Sequence, residues 1–452
     1  MILRPFVLSK TFKTLTNTIP LAGYSELESR SLISITGPDA SKFLNGLITS
    51  KIVPSSVKKN LTTITESSSE SIELSENQIS TNNWGVIDED EYSGLQKVSR
   101  NGLYTMILNS KGRIYSDNFI YPYKYIDEQF RSKNSHYLVE VDSKLLNSLN
   151  GMLKLHKLKS KITISKIDGI KIWSIYNENQ QNLLYELKQN YFSPEINTSP
   201  EEALENSKRF LMDSRLFQVF NHDDLIGFAF DDRSPEFGLR LITNKSPTSI
   251  LSPQFITEAN QVPEETLNIR RSLYGIPSGS EELTPTKFLP LECNLEYMGG
   301  VNFDKGCYVG QELTVRTYHT GIIRKRLTPV RLSLTPEIDQ LEFDNNDPVV
   351  DIIPQGLKSI DIQKEQASTG EDLAEKAELV VSPFGKSKPK KSSSGTLLST
   401  HGNIGLALVR LEDFANEDNK FFIEIPQSDR SGLNKIYVKS YVPYWWPTED
   451  EN

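Results

Sequence analysis

The sequence predicts an α+β fold with largely antiparallel sheets, followed by a small C-terminal β-barrel. Three observations predict it. Up to residue 325, strand-like and helix-like apolar patterns follow one another without the strict alternation of a parallel sheet. Beyond Arg326, short strand-like runs separated by turns dominate, as in a small barrel. Two polar tracts, over 55–83 and 363–394, interrupt these regions as inserts.

The elements follow in order. Residues 1–25 carry Arg4, Lys10 and Lys13 but no acid, and Leu8, Phe12 and Leu15 share one helical face. Basic, hydroxylated and acid-poor, that is the composition of a mitochondrial transit peptide. Leu32, Ile33 and Ile35 mark a strand, Gly37-Pro38-Asp39 a turn, and Phe43, Leu44 and Leu47 a helix. The Ser, Thr, Asn and Glu of 55–83 bury too little apolar surface to offset chain entropy, so the tract reads as disordered. Residues 102–109 and 114–121 read as strands around an Asn109–Gly112 turn. Leu145, Leu149, Met152 and Leu153 predict a helix over 144–158. Residues 161–167 and 170–175 read as a hairpin joined at Asp168-Gly169. Strands are expected at 210–212 and 238–243, around Asp232-Arg233, and a helix at 263–273. Strands at 327–334, 349–353, 395–399, 402–411 and 436–442 build the barrel; the basic run 386–394 reads as a solvated loop. The expected divisions are a leader over 1–25, an α+β region over 26–325 and a barrel over 326–452.

Composition excludes several functions. A net charge of −9 argues against general nucleic-acid binding, which rests on phosphate neutralisation by Lys and Arg. No apolar run approaches the roughly 18 residues of a membrane span. Cys293 and Cys307 make neither a disulfide framework nor a Cys-x-x-Cys clip, which fits a reduced intracellular compartment. The five histidines are scattered, so no stand-alone metal site is expected.

One run carries chemistry: Lys305-Gly306-Cys307-Tyr308-Val309-Gly310-Gln311-Glu312. A cation beside a cysteine favours the reactive thiolate. In an extended stretch residues i and i+2 share a face, which would set Lys305 beside the Cys307 sulfur. Gln311-Glu312 then opens a helix, whose free N–H groups also favour a thiolate. The other reading is a small buried cysteine between turn glycines. On these residues alone the two readings stand equal.

The run Leu291–Glu312 resembles the signature of the folate-binding YgfZ type, a branch of the glycine-cleavage T-protein (aminomethyltransferase) superfamily. Arg271 and Gly275-Ile276-Pro277 precede it in the family's order, and Thr314–Gly321 follows. Leu108–Ile114 resembles the family's Asn-x-Lys-Gly-Arg element, and Asp232-Arg233 with Gly238-Leu239-Arg240 its central positions. Pro443-Tyr444-Trp445-Trp446-Pro447 looks like the end of the mitochondrial members. The resemblance implies a T-protein-like ring of α+β units with a C-terminal barrel. It also implies a mitochondrial matrix protein that assembles iron–sulfur clusters for 4Fe-4S proteins, acting with A-type carriers. Cys307 would be the reactive or cluster-contacting thiol, sharing a transient 2Fe-2S cluster with a partner. Lys305 would be its charge partner, and Gln311 and Glu312 would orient the motif. Arg113, Asp117, Asp232, Arg233 and Arg240 would line a pocket for tetrahydrofolate, since Arg forks suit planar and carboxylate ligands. A folate-dependent one-carbon transferase is the first alternative and a non-catalytic scaffold with a vestigial folate site the second. Against the transferase, Ser116-Asp117 stands where T-proteins carry paired acids, so the two-carboxylate arrangement is lost.

Overall fold

The structure is a computed structural model. It describes residues 19–52, 86–89, 96–125, 135–197, 200–354, 356–357, 359–365, 381–382, 385–386, 393–416, 418–427 and 432–447. The tract at 55–83, residues 1–18 of the expected leader and most of 363–394 lie outside the described residues. The chain falls into two units, one of Ile19–Arg270 with Ile276–Ile323, the other of Arg271–Gly275 with the chain from Arg324 onward.

The first unit contains β1 (Ala22–Glu26), β2 (Arg30–Gly37), β3 (Val86–Glu89), β4 (Gln96–Ser99), β5 (Leu103–Leu108), β6 (Ile114–Pro122), β7 (Ser135–Asp142), β8 (Thr163–Ile167), β9 (Lys171–Asn177), β10 (Gly227–Phe230), β11 (Leu239–Thr243) and β12 (Asn260–Gln261). Two five-stranded sheets result, β5-β6-β7-β2-β8 and β10-β11-β9-β1-β12. Their pairings are antiparallel except β1 with β12. The expected leader through residue 25 overlaps β1, which lies between β9 and β12. Residues 161–175 are not the hairpin expected. β8 pairs with β2 and β9 with β1 and β11, so the Asp168-Gly169 turn carries the chain from one sheet to the other. Two strands of the right length and a turn glycine cannot reveal that, because pairing partners lie far off in sequence.

Each sheet packs one face on helices. Ile33, Ile35, Val139 and Val141 meet Phe43, Leu44, Leu149 and Leu153, from the helices Ala40–Asn45 and Leu146–His156. In the second sheet Ile175, Phe228, Phe230 and Leu241 meet the helices Gln181–Phe192 and Pro200–Leu211. Phe210, expected in a strand, sits in the last turn of the latter helix. Its ring lies 4.9 Å from Phe192, 5.0 Å from Phe217 and 5.1 Å from Phe228. A three-residue apolar run does not tell strand from helix; a core of interlocking aromatic edges decides it here.

The second unit is a closed barrel. Its strands are β13 (Lys325–Ser333), β14 (Ile360–Lys364), β17 (Gly395–His401), β18 (Ile404–Arg410), β19 (Phe421–Pro426) and β20 (Leu433–Ser440), while β15 (Val381–Ser382) and β16 (Gly385–Lys386) pair with each other. The order β13-β18-β17-β14-β19-β20 closes where β20 returns to β13. Val330, Leu332, Ile362, Leu397, Ile423 and Ile436 fill the interior. Residues 349–353 are turn and not the strand expected, and Val349 and Ile353 join that interior from outside the ladder. The aromatic tail packs within this unit: Trp445 Nε1 donates to the Tyr274 carbonyl at 2.8 Å, and the Arg326 guanidinium lies 5.5 Å over the Trp446 ring.

Candidate functional site

Cys307 lies on the exposed crown of a loop whose two legs are pinned. Before it, the Asn302 N–H donates to the Thr49 carbonyl at 3.1 Å, and the Thr49 and Ser50 hydroxyls donate to the Gly300 carbonyl at 2.6 and 2.9 Å. After it, the Val309 N–H donates to the Gly46 carbonyl at 3.1 Å. Gly310 follows with φ +81 and caps the helix Gln311–Thr320. A Cβ on Gly310 would lie 2.3 Å from the Asn109 carbonyl oxygen, and one on Gly112 2.8 Å from the Gly310 oxygen. The Lys-Gly-Cys run and the Asn109–Arg113 turn, distant in sequence, therefore touch through bare glycines. Asn109 Oδ1 shapes that turn by accepting from the N–H groups of Lys111 and Arg113 at 2.9 and 3.0 Å.

The helix at Gln311–Thr320 is as expected from sequence. Gln311 Oε1 accepts from the Tyr308 N–H at 3.1 Å and so ties the loop to the helix start. Glu312 is exposed in the first turn, where its charge suits the helix dipole. Tyr318 near the helix end stacks on Phe303 of the loop at 3.6 Å, with exposed His319 beside it.

Lys305 takes a different place from the one expected. The stretch 301–310 is turn and coil, so strand alternation does not govern it. Lys305 points inward, and its ammonium donates to the carbonyls of Asn45, Ile48 and Ser50 at 2.7, 2.6 and 2.8 Å. All three of its N–H bonds are thereby taken by backbone, leaving none for the thiol. Burial, and then nearby Lys51, push its pKa down to about 7. Cys293 is fully buried, and burial, then Glu292 and Glu296, push its thiol pKa up.

A second constellation joins the two sheets. Arg30 opens β2 and reaches Glu140 on β7 at 2.8 Å and Asp117 on β6 at 3.2 Å. Arg240 on β11 reaches the same Glu140 at 2.6 Å and Asp231, after β10, at 3.1 Å. Arg233 holds Asp231 in a fork of 2.8 and 2.7 Å. Tyr121 donates to Glu140 at 2.5 Å; Ser278 Oγ and the Gly279 N–H donate to Asp117 at 3.2 and 3.1 Å. Three cations and three carboxylates are thus buried together and balance. Burial alone would raise the three carboxyl pKa values. The adjoining guanidinium groups overcome it and hold Asp117, Glu140 and Asp231 below the ordinary carboxylate range. Two buried polar atoms here have no hydrogen-bond partner among the described residues, Arg233 Nη1 and Tyr104 Oη. The Arg233 guanidinium lies 5.3 Å from the Tyr104 and Phe119 rings alike.

Of the five residues expected around a pocket, Asp117, Arg233 and Arg240 meet in this network. Arg113 and Asp232 do not belong to it: Arg113 donates to the Lys287 carbonyl near the surface, and half-exposed Asp232 pairs with Lys188 at 2.9 Å. Sequence reasoning missed Arg30, Glu140, Asp231 and Tyr104. The legible signal was a charge inside an apolar strand, as at Val139-Glu140-Val141, which has no reason to be there unless paired. Among the described residues no group of three His, Cys, Asp or Glu side chains converges as a metal site, and no helix is long and apolar enough to cross a membrane.

Residues 324–448 match the family model of the CAF17 C-terminal beta-barrel domain. An iron-sulfur cluster assembly factor IBA57 homolog, mitochondrial, from Scheffersomyces stipitis is 33% identical, over 96% of this chain and 100% of that one. The homologue from Meyerozyma guilliermondii is 38% identical over 92% of this chain and 97% of its own; that from Debaryomyces hansenii is 35% identical over 95% and 100%. A crystal structure of glycine cleavage system aminomethyltransferase T from Bartonella henselae covers 95% of this chain and 89% of its own at 10% identity, with a TM-score of 0.49. At that level it adds nothing to the fold already described. With full-length relatives above 30% identity, the chain belongs to the family of mitochondrial iron–sulfur cluster assembly factor IBA57 homologues.

Proposed function

We propose that the protein is a mitochondrial iron–sulfur cluster assembly factor that engages its cargo through Cys307, in the matrix, for the maturation of 4Fe-4S proteins. One observation carries the reading to a residue: of the two cysteines, Cys307 is exposed on a loop pinned on both sides, while Cys293 is buried. Iron–sulfur clusters are held mainly by thiolates. The Cys307 thiol gives up its proton and takes one ligand position on a 2Fe-2S cluster that an A-type carrier holds by its own cysteines. The displaced carrier thiolate takes up the proton, and no electron changes hands. The carrier supplies the remaining ligands, which agrees with a single accessible thiol on this chain. The test is anaerobic mixing of the protein with carrier bearing a 2Fe-2S cluster, wild type beside Cys307→Ala, followed by visible circular dichroism. A new cluster spectrum is expected with wild type alone; equal spectra would remove Cys307 from the account.

A second reading attaches to the buried network. The unpartnered Arg233 Nη1 and Tyr104 Oη, with the Phe119 ring close by, fit the polar edge and flat face of a tetrahydrofolate-class ligand. Such a ligand would be held there by Arg233 and Tyr104, while Asp117 is already committed to Arg30, Ser278 and Gly279. That commitment favours binding over aminomethyl transfer, because a carboxylate so engaged is poorly placed to work on substrate. Titration calorimetry with tetrahydrofolate tests it: heat with wild type and none with Arg233→Met is the expected pair, and silence with both defeats it.

A further inference from the structure

We propose that Lys305 is a positioning residue for the Cys307 thiol, an internal post that sets the height and order of the loop from beneath and does not act on the sulfur. The inference deepens the cluster reading and rests on it. The loop from Gly300 to Gly310 crosses the segment 45–51, and each of its legs is stitched to that segment by backbone hydrogen bonds. Between the stitches the Phe303 ring rests on Tyr318 and the Tyr308 N–H on Gln311, which leaves the crown at 304–307 to be held from beneath. There Lys305 sends its side chain down into the segment, where the carbonyls of Asn45, Ile48 and Ser50 converge on its ammonium at 2.6–2.8 Å. The ammonium lies 4.7 Å from the centre of the Tyr308 ring, so the residue after the cysteine steadies the post. Two positions along, Cys307 is exposed, and a Cβ on the intervening Gly306 would meet nothing within 4 Å. Inward lysine, bare glycine and outward cysteine thus form one device: a fixed base, and a tip with open space above it.

The geometry asks for lysine in particular. Three converging oxygens suit the three tetrahedral N–H bonds of an ammonium, whereas the planar fork of a guanidinium does not enter such a cup. A methionine of similar length fills the channel and leaves three buried carbonyls without this donor.

The charge-partner role predicts that Lys305→Arg and Lys305→Met behave differently, and the positioning role that they behave alike. Three readouts are taken on the full chain: amide hydrogen exchange of residues 303–309, the pH profile of Cys307 alkylation by iodoacetamide, and formation of the cluster-bound complex with a 2Fe-2S-loaded A-type carrier. Positioning predicts at least about tenfold faster exchange in both variants, equivalent to about 1.4 kcal/mol of lost local protection. It predicts an unmoved midpoint of the alkylation profile and loss of the complex in both. A midpoint raised by about one pH unit in Lys305→Met but not in Lys305→Arg would overturn it in favour of a charge partner. Unchanged exchange with a normal complex in both variants would overturn it as well. Where Lys305→Met does not fold, Lys305→Gln, which keeps a two-donor head on a shorter stem, carries the same comparison. Cys307→Ala run alongside separates the two levels. If it too forms the complex, the cluster reading itself fails; if it alone fails to, only the role of Lys305 is lost.

Discussion

Replacing Gly310 by alanine probes the contact between the two sequence motifs. Gly310 has φ +81, a conformation that costs a residue with a Cβ about 1 kcal/mol or more. The new methyl carbon would also lie 2.3 Å from the Asn109 carbonyl oxygen and 3.0 Å from Leu108 Cβ. The nearer neighbour is a backbone oxygen that accepts from the Gly112 N–H, in a turn whose Arg113 N–H is held by Asn109 Oδ1, so it cannot swing aside as a side chain would. Overpacking of this kind costs about 1–3 kcal/mol, for a total of about 2–4 kcal/mol. At about 2–4 °C per kcal/mol for a domain of this size, the melting midpoint of Gly310→Ala should fall by about 5–15 °C. Thermal denaturation followed by far-ultraviolet circular dichroism measures it. A midpoint within about 1 °C of wild type would refute the close approach of the two turns.

Other expectations follow from the same geometry. Gly306→Ala, with open space around its Cβ and no positive φ, should melt within about 1 °C of wild type or slightly above it, since alanine restricts the unfolded chain; a fall comparable to that of Gly310→Ala would contradict the open tip. Glu140→Gln removes the carboxylate shared by Arg30 and Arg240 in a fully buried setting and should cost about 3–5 kcal/mol by urea denaturation; a loss under about 1 kcal/mol would mean the network is solvated. Asp117, Glu140 and Asp231 have pKa values lower in the fold than in the unfolded chain, so the unfolded state takes up protons first on acidification. Their contribution is complete above about pH 5 and declines as pH falls through the carboxylate range. The urea midpoint of wild type should drop steeply there, and that of Glu140→Gln less so; parallel curves would contradict the assignment.

Much of this molecule was legible in the chain. The strands at 103–108 and 114–122, the helix after Gly310 and the strand-rich C-terminal region all announce themselves by local period and turn residues. The exposure of Cys307 is not legible in the same way, because the run Lys305–Glu312 fits a buried cysteine equally well. What stayed hidden is long-range. β8 and β9 look like one hairpin until their partners β2, β1 and β11, far off in sequence, are known, and β14 is too short and polar to separate from the neighbouring insert. The inward turn of Lys305 is not legible, because its acceptors are carbonyls some 255 residues away and carbonyls leave no mark in a sequence. The buried network is half visible: Asp117, Arg233 and Arg240, to which the resemblance points, meet in it, whereas Asp232 lies outside it and its neighbour Asp231 within, a difference set by which way the backbone turns each acid.

The central claim is that the Cys307 sulfur itself binds iron, and replacing that sulfur by selenium tests it most directly. The protein carrying selenocysteine at 307 is combined anaerobically with 2Fe-2S-loaded A-type carrier, and iron X-ray absorption fine structure is recorded on the complex. An iron–selenium scattering path is the result this account predicts. A complex that forms in full yield with only sulfur around its iron would contradict it.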